Sequence, residues 1–587
     1  MTRPRPLGAL LAGRISRGAL HRRPPAAARS FVSSRPACCS SSPEPPRPPK
    51  LRFAPSPTGY LHLGGLRTAL YNHLLARKLG GKWVLRVEDT DQTRYVEGAV
   101  ESLLGTLGWA KLDFDEGPGK GGPNEPYFQS QRREVYDRYL EPLIESGKAY
   151  HCFCTPERLA ETRKRLQKQG SHEGYDRRCL GLSQDEVKER LENGERNIVR
   201  FKSSSAPLTQ EDLIYDPIHY DTLPLEDFVL RKSDGLPTYH FANVVDDFEM
   251  GITHVLRGEE WLPSTPKHLQ LYDALGLPRP KFAHLPLLVN SDGSKLSKRA
   301  GDVRVEDYIA RGYEPEALLN FVALMGWSPQ SSSSSFTSPH SPEGPSPNSS
   351  ATRDTLNEEV LPLPALIRAF SLEGVNKNRA TMQAAKLDFL NRAHIRLKLA
   401  DAGVGGGRQD VTRRTAAVVK GKWPGLDGER AGEAYIAQVL DALKDRIYTV
   451  LDVPSLGAYF FHPPGYDSAL ATQLFKSVAS AVHRDSLTAA RAALAAAPSP
   501  FPSPFRESDG TGVELDTSAL REVLDTLVQA RGGKKKAKEV MNPLRWALTG
   551  QKVGAGVVDV IAVLRREEVL RRLDAGLAWI EAQEAKA

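Results

Sequence analysis

The chain has 587 residues, 26% of them charged, and a formal net charge of +8. Its mean hydropathy is -0.40, and no run of residues approaches the ~18 consecutive apolar positions that span a bilayer, so we expect no membrane association. Five cysteines in a chain of this length argue against a fold that is stabilised by a framework of disulfide bonds.

The first 49 residues carry the whole net charge, because they hold nine arginines, no lysine and a single acid, Glu44. Leu7, Leu11 and Ile15 recur at helical spacing within them. Acid depletion together with an amphipathic start is typical of a mitochondrial presequence and predicts residence in the mitochondrial matrix. A disordered proline-rich arm and a basic RNA-binding tail remain alternatives. The rest of the chain has 70 basic and 70 acidic residues, so its bulk charge says nothing about RNA.

The segment after this leader alternates between strand and helix patterns. Residues 51–54 (LRFA) predict a buried strand that ends at Pro55. From His62 onward leucines recur at helical spacing until the Gly80-Gly81 pair. A second strand is predicted over 83–87, followed by the acidic turn EDTD and another helix. This order predicts an α/β fold with a doubly wound parallel sheet.

The remaining chain divides by composition. Residues 140–235 are charged and irregular, and we interpret them as an insertion between two halves of the sheet. A strand-like apolar pattern resumes over 237–261, in PTYHFANVVDD and GITHVLRGEEW. The Ser/Pro-rich tract 328–350 predicts a disordered surface insertion. From about residue 400 the leucine- and alanine-rich patterns predict a separate helical domain.

The first strand–helix junction reads APSPTGYLHLGG. Ligands of an open parallel sheet bind beyond the carboxyl ends of its strands. The helix begins at His62-Leu63-Gly64-Gly65, where backbone N–H groups and the helix dipole attract phosphate, and His62 can donate to a phosphate oxygen. A plain junction in which this segment only caps the helix is the alternative.

A second motif, GSKLSKR at residues 293–299, places two lysines in a glycine-flanked loop. Two ammonium groups suit the charge that grows on a transferring phosphate. Taken alone, a solvated basic loop explains the same residues. The pairing of both motifs favours nucleotide chemistry.

Together the two motifs resemble the signatures of class I aminoacyl-tRNA synthetases. RVEDTDQTR, PTYHFANVVDD, VLRGEEW and KLSKR follow one another as in glutamyl-tRNA synthetases, and KEVMNPLRWALTG resembles the helical domain of the bacterial-type enzymes. The resemblance spans residues 51 to about 575. Together with the presequence-like leader, it implies a mitochondrial member that ligates L-glutamate to tRNA(Glu) through a glutamyl-adenylate and releases AMP and diphosphate.

The resemblance also implies an order of domains: a class I doubly wound catalytic domain, an inserted acceptor-binding domain and an all-α anticodon-binding domain. The expected boundaries are 1–49 for the presequence, 50–139 and 236–310 for the catalytic halves, 140–235 for the acceptor-stem insertion, 311–398 for a stem-contact helical region with its Ser/Pro-rich insertion at 328–352, and 399–587 for the anticodon-binding domain.

Site residues follow from the same resemblance. Recognition of a desolvated carboxylate favours arginine. For Arg52 and Arg257, a purely structural ion pair is the alternative. The glutamate-binding positions are Arg52, Ala54, Ser56, Glu88, Tyr239, Asn243 and Arg257. The ATP-binding positions are His62, Gly64, Gly65, Glu260, Lys295, Leu296, Ser297, Lys298 and Arg299. His62, Lys295 and Lys298 are the implied catalytic groups, with Mg²⁺ on the phosphates of ATP and no side-chain nucleophile.

A metal site is suggested by the spacing of Cys152, Cys154, Tyr175 and Cys179. It resembles the zinc-binding segment in the insertion of some glutamyl-tRNA synthetases. Three thiolates and an oxygen donor could hold tetrahedral zinc. Three reduced, partly buried thiols explain the same residues, so both interpretations stay open.

The implied partners are tRNA(Glu), with tRNA(Gln) as a second candidate, and L-glutamate; a monomer is expected. The basic run at 531–539 fits either an RNA contact or a solvated loop. Three rival functions differ in testable ways. A glutaminyl-tRNA synthetase would carry β-barrels after the catalytic half, a stand-alone glutamyl transferase would lack a C-terminal domain, and a non-catalytic RNA-binding paralogue would have decayed signatures.

Overall fold

A computed structural model gives the fold. It describes residues 48–170, 174–221, 226–290, 304–329, 359–401, 406–496 and 517–586. The predicted presequence, the KLSKR loop and most of the Ser/Pro-rich tract lie outside the described residues.

The strands of the described chain are short. They are β1 Lys50–Phe53, β2 Lys82–Leu85, β3 Ala149–Cys152, β4 Ile198–Phe201, β5 Leu208–Gln210, β6 Ile218–Tyr220, β7 Val229–Arg231, β8 His254–Gly258, β9 Lys281–Leu285, β10 Leu288–Val289 and β11 Ala380–Thr381.

The helices up to the C-terminal region are α1 Leu63–Lys78, α2 Ala99–Trp109, α3 Arg133–Glu145, α4 Pro156–Lys168, α5 Gln184–Glu192, α6 Tyr239–Glu249, α7 Thr265–Leu275, α8 Val305–Ala310, α9 Pro315–Leu324, α10 Leu363–Ala369 and α11 Ala384–Ala400. The helices that follow are α12 Gly407–Lys422, α13 Glu433–Leu443, α14 Val453–Leu456, α15 Ala458–Phe461, α16 Ala469–Phe475, α17 Ser480–Ala496, α18 Ser518–Ala530, α19 Ala537–Thr549 and α20 Val557–Glu584.

The central sheet has the order β2-β1-β8-β9, and every neighbouring pair is parallel. Helix α1 makes the crossover from β1 to β2, as parallel pairing requires. The parallel sheet and the helical C-terminal region confirm the predicted fold class. Strand β2 is shorter than predicted, but Arg86 N–H still bonds to the Phe53 carbonyl at 3.0 Å.

The predicted strand-like pattern over 237–261 is wrong in its first half, because PTYHFANVVDD forms helix α6. Its buried Phe241, Val244 and Val245 recur three and four residues apart, which places them on one helical face. Only the second half contains a strand, β8.

Side chains of the sheet alternate between two hydrophobic cores. Leu51, Leu256 and Ala283 pack with α1, α9 and α10 on one face. Val84, Val255 and Phe282 pack with α3, α6 and α7 on the other. Since neighbours along a strand point to opposite faces, alternate positions of β1, β8 and β9 can hold polar groups against α6 and α7.

The segment between β2 and α6 carries its own antiparallel sheet, in the order β3-β4-β7, and a β5-β6 hairpin. The C-terminal helices share a further core that runs from Ile395 to Ile580. Helix α20 bends at Arg565, whose φ is 65°. Within the described ranges, no helix is long and apolar enough to cross a bilayer.

Candidate active site

One cavity at the carboxyl ends of the central strands collects most of the predicted site residues. All the predicted glutamate-binding residues line it: Arg52, Ala54, Ser56, Glu88, Tyr239, Asn243 and Arg257. Its wall also includes His62, Gly64, Gly65 and Glu260 from the predicted ATP site. Lys295, Leu296, Ser297, Lys298 and Arg299 lie outside the described residues. Because ligands of open parallel sheets bind at this edge, the cavity is the candidate active site.

Arg52 enters the cavity from β1 and is held from behind by a carboxylate of α6. Its Nε donates to Asp247 Oδ1 at 3.1 Å, and its Nη1 donates to the Leu256 carbonyl at 3.4 Å. Burial alone would raise the pKa of Asp247, but Arg52 and Arg86 outweigh it and leave the pKa below its ordinary range. Arg52 is therefore both a buried ion-pair partner and a residue of the cavity wall.

Arg86 links Asp247 to Glu88. Its fully buried guanidinium donates to Asp247 Oδ1 at 2.7 Å and to Glu88 Oε1 at 3.2 Å. Asn243 Nδ2 donates to the same Glu88 oxygen at 2.9 Å. Burial raises the pKa of Glu88, against the opposing charges of Arg86 and Arg52. A substrate ammonium group beside Glu88 would favour its carboxylate form.

Arg257 projects from β8 and has a different kind of surrounding. Its Nε donates to His284 Nε2 at 3.1 Å, and its Nη2 donates to Thr265 Oγ1 at 2.8 Å. Its Nη1 lies 3.1 Å from His268 Nδ1 and 3.5 Å from Tyr239 Oη. The guanidinium is buried but reaches the cavity wall.

An aromatic pair lies on the wall beside Arg257. The ring centroids of Tyr239 and Trp261 are 4.3 Å apart, with 31° between their planes. Burial raises the pKa of Tyr239 to about 12, so it is a neutral phenol. Trp261 keeps 37% of its surface exposed, so it offers an aromatic face next to the cavity.

His62 caps helix α1, whose first turn faces the cavity. Its Nδ1 accepts the Gly65 N–H at 3.1 Å, so the proton of the neutral ring sits on Nε2. The capping role and phosphate donation are thus compatible, because they use different ring nitrogens. A Cβ at Gly64 would come within 3.1 Å of the His62 ring, which explains why glycine suits this position.

Glu260 folds back over the end of β8. A Cβ at Gly258 would lie 2.1 Å from a Glu260 carboxylate oxygen, so the absence of a side chain there lets the carboxylate approach the backbone. Glu260 is exposed and lines the cavity near the first turn of α1. It can therefore meet a polar group of a bound nucleotide.

The cysteines lie outside this cavity and form a compact cluster. The sulfurs of Cys152, Cys154 and Cys179 are within 4.8 Å of one another, and those of Cys154 and Cys179 are 3.5 Å apart. Tyr175 Oη lies 3.4 Å from Cys152 Sγ and 3.9 Å from Cys154 Sγ. Zn–S bonds of about 2.3 Å in a tetrahedron would place two sulfurs about 3.8 Å apart, so the donor set fits zinc.

The charges around the cluster also suit thiolates. Arg158 Nη1 lies 3.2 Å from Cys154 Sγ, and the Arg200 guanidinium lies 4.0 Å from the centre of the Tyr175 ring. The hydrogen bond between Cys152 and Cys179 lowers the pKa of Cys152 and raises the pKa of Cys179, because the two sulfurs share one proton. Nearby cations would offset the negative charge of a site with three thiolates.

Several residues of the site were not singled out by the sequence. Arg86 and Asp247 stand inside the quoted motifs RVEDTD and PTYHFANVVDD, but their role depends on contacts between distant segments. Buried Arg67 also lines the cavity, and its Nη1 donates to the Met325 carbonyl at 3.2 Å. An arginine on an apolar helix face was the available signal for this residue.

Two family models match the chain. The model described as tRNA synthetases class I (E and Q), catalytic domain, matches residues 50–354. A model described as an anticodon binding domain matches residues 414–577.

Curated relatives match over nearly their whole length. The chain is 38% identical over 550 residues to the glutamate–tRNA ligase of Chloroherpeton thalassium, which covers 91% of this chain and 99% of that protein. It is 38% identical over 545 residues to the glutamate–tRNA ligase of Chlorobaculum parvum, with 91% and 99% covered.

Solved structures of glutamate–tRNA ligases also match the chain. A crystal structure of a glutamate–tRNA ligase from Elizabethkingia meningosepticum in complex with its amino acid is 32% identical, with a TM-score of 0.73. The glutamate–tRNA synthetase of Elizabethkingia anophelis is 33% identical, with a TM-score of 0.71. Each match covers 90% of this chain and 99% of the other.

Proposed function

We propose that this chain, which belongs to the glutamate–tRNA ligases of class I, makes glutamyl-tRNA(Glu) for mitochondrial translation through a glutamyl-adenylate. The observation that carries the proposal is a single cavity that joins two buried arginines to the N-terminus of α1. Relatives that cover the chain to its helical end argue against a stand-alone transferase without that region.

The glutamate subsite uses the two arginines for carboxylates and Glu88 for the ammonium group. Tyr239 and Asn243 complete the wall around the amino acid, and Ala54 and Ser56 offer backbone and hydroxyl contacts. A bidentate guanidinium matches a carboxylate in both charge and shape.

The ATP subsite lies at the first turn of α1. The His62 Nε2–H would donate to a phosphate oxygen, while the glycines of the same turn let the phosphates approach. Lys295 and Lys298 would stabilise the charge that develops on the phosphates, and Mg²⁺ would be held mostly by ATP and water.

The reaction follows from this placement. An oxygen of the glutamate α-carboxylate attacks the α-phosphorus of ATP, the bond to the β-phosphate oxygen breaks, and diphosphate leaves. A hydroxyl of the terminal tRNA ribose then attacks the acyl carbon, loses its proton and displaces AMP. Positioning and charge stabilisation suffice for both steps, so no covalent enzyme intermediate is needed.

Aminoacylation by the full chain with labelled glutamate tests the activity. We expect charging of tRNA(Glu) that Arg257→Gln or Lys298→Ala lowers by about 100-fold or more in kcat/KM. Arg279→Gln is the matched control, because Arg279 is an exposed arginine whose partner Asp273 is also on the surface. No charging by a folded, tRNA-binding wild-type chain would favour a non-catalytic paralogue.

The arginine-rich residues 1–49 support a mitochondrial matrix location. A fluorescent protein fused to these residues should be imported by mitochondria, and changing all nine arginines to glutamine should abolish the import. Cytosolic retention of the unchanged fusion would contradict this part of the proposal.

We further propose that the chain acts as a monomer and that residues 140–235 and 399–587 contact the acceptor and anticodon ends of the tRNA. Light scattering of the free protein tests the first point. Parallel charging assays with tRNA(Glu) and tRNA(Gln) decide whether the second tRNA is also a substrate.

A further inference from the structure

Two buried histidines and a half-buried one lie around Arg257, and the proposed reaction gives none of them a role. His284 belongs to β9, His268 to α7 and His240 to α6. His284 and His268 contact the guanidinium directly, and His240 contacts His268. They form a connected network, which we call the imidazole clamp, and they come from separate parts of the chain.

The charges around the other pocket arginine are balanced. Arg52 and its buried neighbours Arg86 and Arg132 face the carboxyl groups of Glu88, Asp246 and Asp247. Three guanidinium groups thus meet three carboxyl groups within hydrogen-bonded networks. Arg52 brings little net charge to the cavity, because the protein already supplies its counterion.

Arg257 differs, because the hydrogen-bond partners that the described residues give it are all uncharged. They are the two imidazoles, the Thr265 hydroxyl, the Tyr239 phenol and the Trp261 carbonyl. Burial and the charge of Arg257 hold the pKa of His268 well below its ordinary value, and burial also lowers the pKa of His284. Both rings are therefore neutral, and none of the described residues supplies a counterion bonded directly to Arg257.

The hydrogen bonds determine the tautomer of His284. Its Nδ1 lies 2.6 Å from Asp212 Oδ2, so Nδ1 carries the proton and donates to the carboxylate. Its Nε2 is then free of a proton and accepts from Arg257. Asp212 is itself fixed, because its Oδ1 accepts the backbone N–H groups of Ile214 and Tyr215 at 3.0 and 3.1 Å.

The tautomer of His268 follows by the same reasoning. Its Nδ1 accepts from Arg257, so Nε2 carries the proton and donates to His240 Nδ1 at 3.1 Å. Burial lowers the pKa of His240 to about 4, so that ring is also a neutral acceptor. His284 and His268 therefore each present a lone pair, not a proton, to the Arg257 guanidinium.

We propose that His284 and His268 are positioning residues that hold Arg257 for the side-chain carboxylate of glutamate, and that Asp212 sets the tautomer of His284. The inference rests on the proposed glutamate site. Because the clamp binds the guanidinium without neutralising it directly, the substrate supplies the missing anion. Glutamine carries an uncharged amide with two hydrogen-bond donors, so the same arginine discriminates against it.

Kinetics of Asp212→Asn and of His284 variants test the clamp. If the amide group introduced by Asp212→Asn donates to Nδ1 of His284, the ring proton moves to Nε2 and faces Arg257. We expect the KM for glutamate to rise about tenfold or more, the KM for ATP to stay within about twofold, and the preference for glutamate over glutamine to fall. His284→Leu should behave alike, whereas His284→Gln should recover most of the affinity, because its amide oxygen can accept from Arg257.

Asp227→Asn is the matched control. Asp227 is equally buried, but it bonds to Tyr150, Ser203 and Arg177, away from the cavity. It should leave both KM values unchanged. An unchanged KM for glutamate in Asp212→Asn and His284→Leu, or a parallel rise for glutamate and ATP, would overturn the clamp. A wild-type enzyme that fails to charge glutamate would instead overturn the proposed function, and this is seen before any variant is made.

Discussion

At the scale of single residues, two adjacent aspartates of α6 have different tasks. Asp247 bonds to Arg52 and Arg86 on the side of the cavity. Asp246 bonds to Arg132, Gln129 and Tyr136 on the side of α3. Both carboxylates are buried, so removing either charge leaves buried arginine charge uncompensated.

Substitutions of these two aspartates can distinguish an effect on substrate binding from an effect on stability. Asp247→Asn should raise the KM for glutamate by about tenfold, because Arg52 loses the partner that orients it. Asp246→Asn should leave that KM unchanged. Both should lower the free energy of unfolding by about 3 kcal/mol, because each breaks a buried ion pair. Initial-rate kinetics and denaturant unfolding check the outcome, and equal KM values in the two variants would contradict it.

At the scale of single elements, the first turn of α1 joins helix capping to the proposed phosphate contact. His62 accepts the Gly65 N–H through Nδ1. Asparagine is a strong N-cap, but its shorter side chain has no group in the place of the Nε2–H. Replacing His62 by asparagine can therefore distinguish helix capping from donation to a phosphate.

We expect His62→Asn to keep the melting temperature of the wild type and to lower the rate of adenylate formation by about 100-fold. His62→Ala should lower both, with a loss of about 1 kcal/mol of stability from the missing cap. Thermal unfolding and glutamate-dependent pyrophosphate exchange with tRNA present measure the two effects. Full exchange activity in His62→Asn would leave His62 with capping alone.

Strand β3 and the turn at Cys179 together present the thiol cluster. Because the donor set fits zinc, we expect the purified chain to hold about one zinc ion and Cys179→Ser to reduce its affinity strongly. Removal of the ion by a chelator should lower the melting temperature. Elemental analysis and chelator titration measure these effects; a zinc-free chain with three titratable thiols would establish the alternative of reduced cysteines.

Across the molecule, neutral histidines that are buried or half-buried occur in separate parts of the fold. Burial lowers the pKa values of His73 in α1, His240 in α6 and His394 in α11 to about 4. The unfolded chain would bind protons at an ordinary value near 6.5. Since these folded-state pKa values are depressed, the stability they confer is present above pH 6.5 and is lost as the pH falls towards 4.

We therefore expect the melting temperature to decline between pH 6.5 and 4. Each such histidine should contribute about 1–2 kcal/mol to the loss by pH 5. His394→Gln should reduce the decline, because glutamine cannot titrate and can keep the 3.1 Å bond to Asn320 Oδ1. A histidine exposed on the surface, His219, provides the control in His219→Gln. Identical pH profiles for His394→Gln and the wild type would refute this assignment.

The parallel α/β fold, the helical C-terminal region and the family can all be predicted from the amino-acid sequence. These follow from local periodicity, from turn residues such as Pro55 and from short motifs, all of which act between near neighbours in the chain. The prediction is wrong in α6, where the density of apolar residues suggests a strand although their three- and four-residue spacing is helical.

The contacts that fix the side chains of the site join distant segments and are visible only in the folded chain. Because Leu51 and Phe53 point to one face of the sheet, Arg52 points to the face of α6, but the sequence does not reveal that Asp247 meets it there. Likewise, Asp212 and His284 are 72 positions apart in the chain. The hydrogen bond that sets the tautomer of His284 forms only because the segment around Asp212 packs against β9. Local patterns specify elements, whereas burial and long-range hydrogen bonds determine which charges are paired and which remain for a substrate.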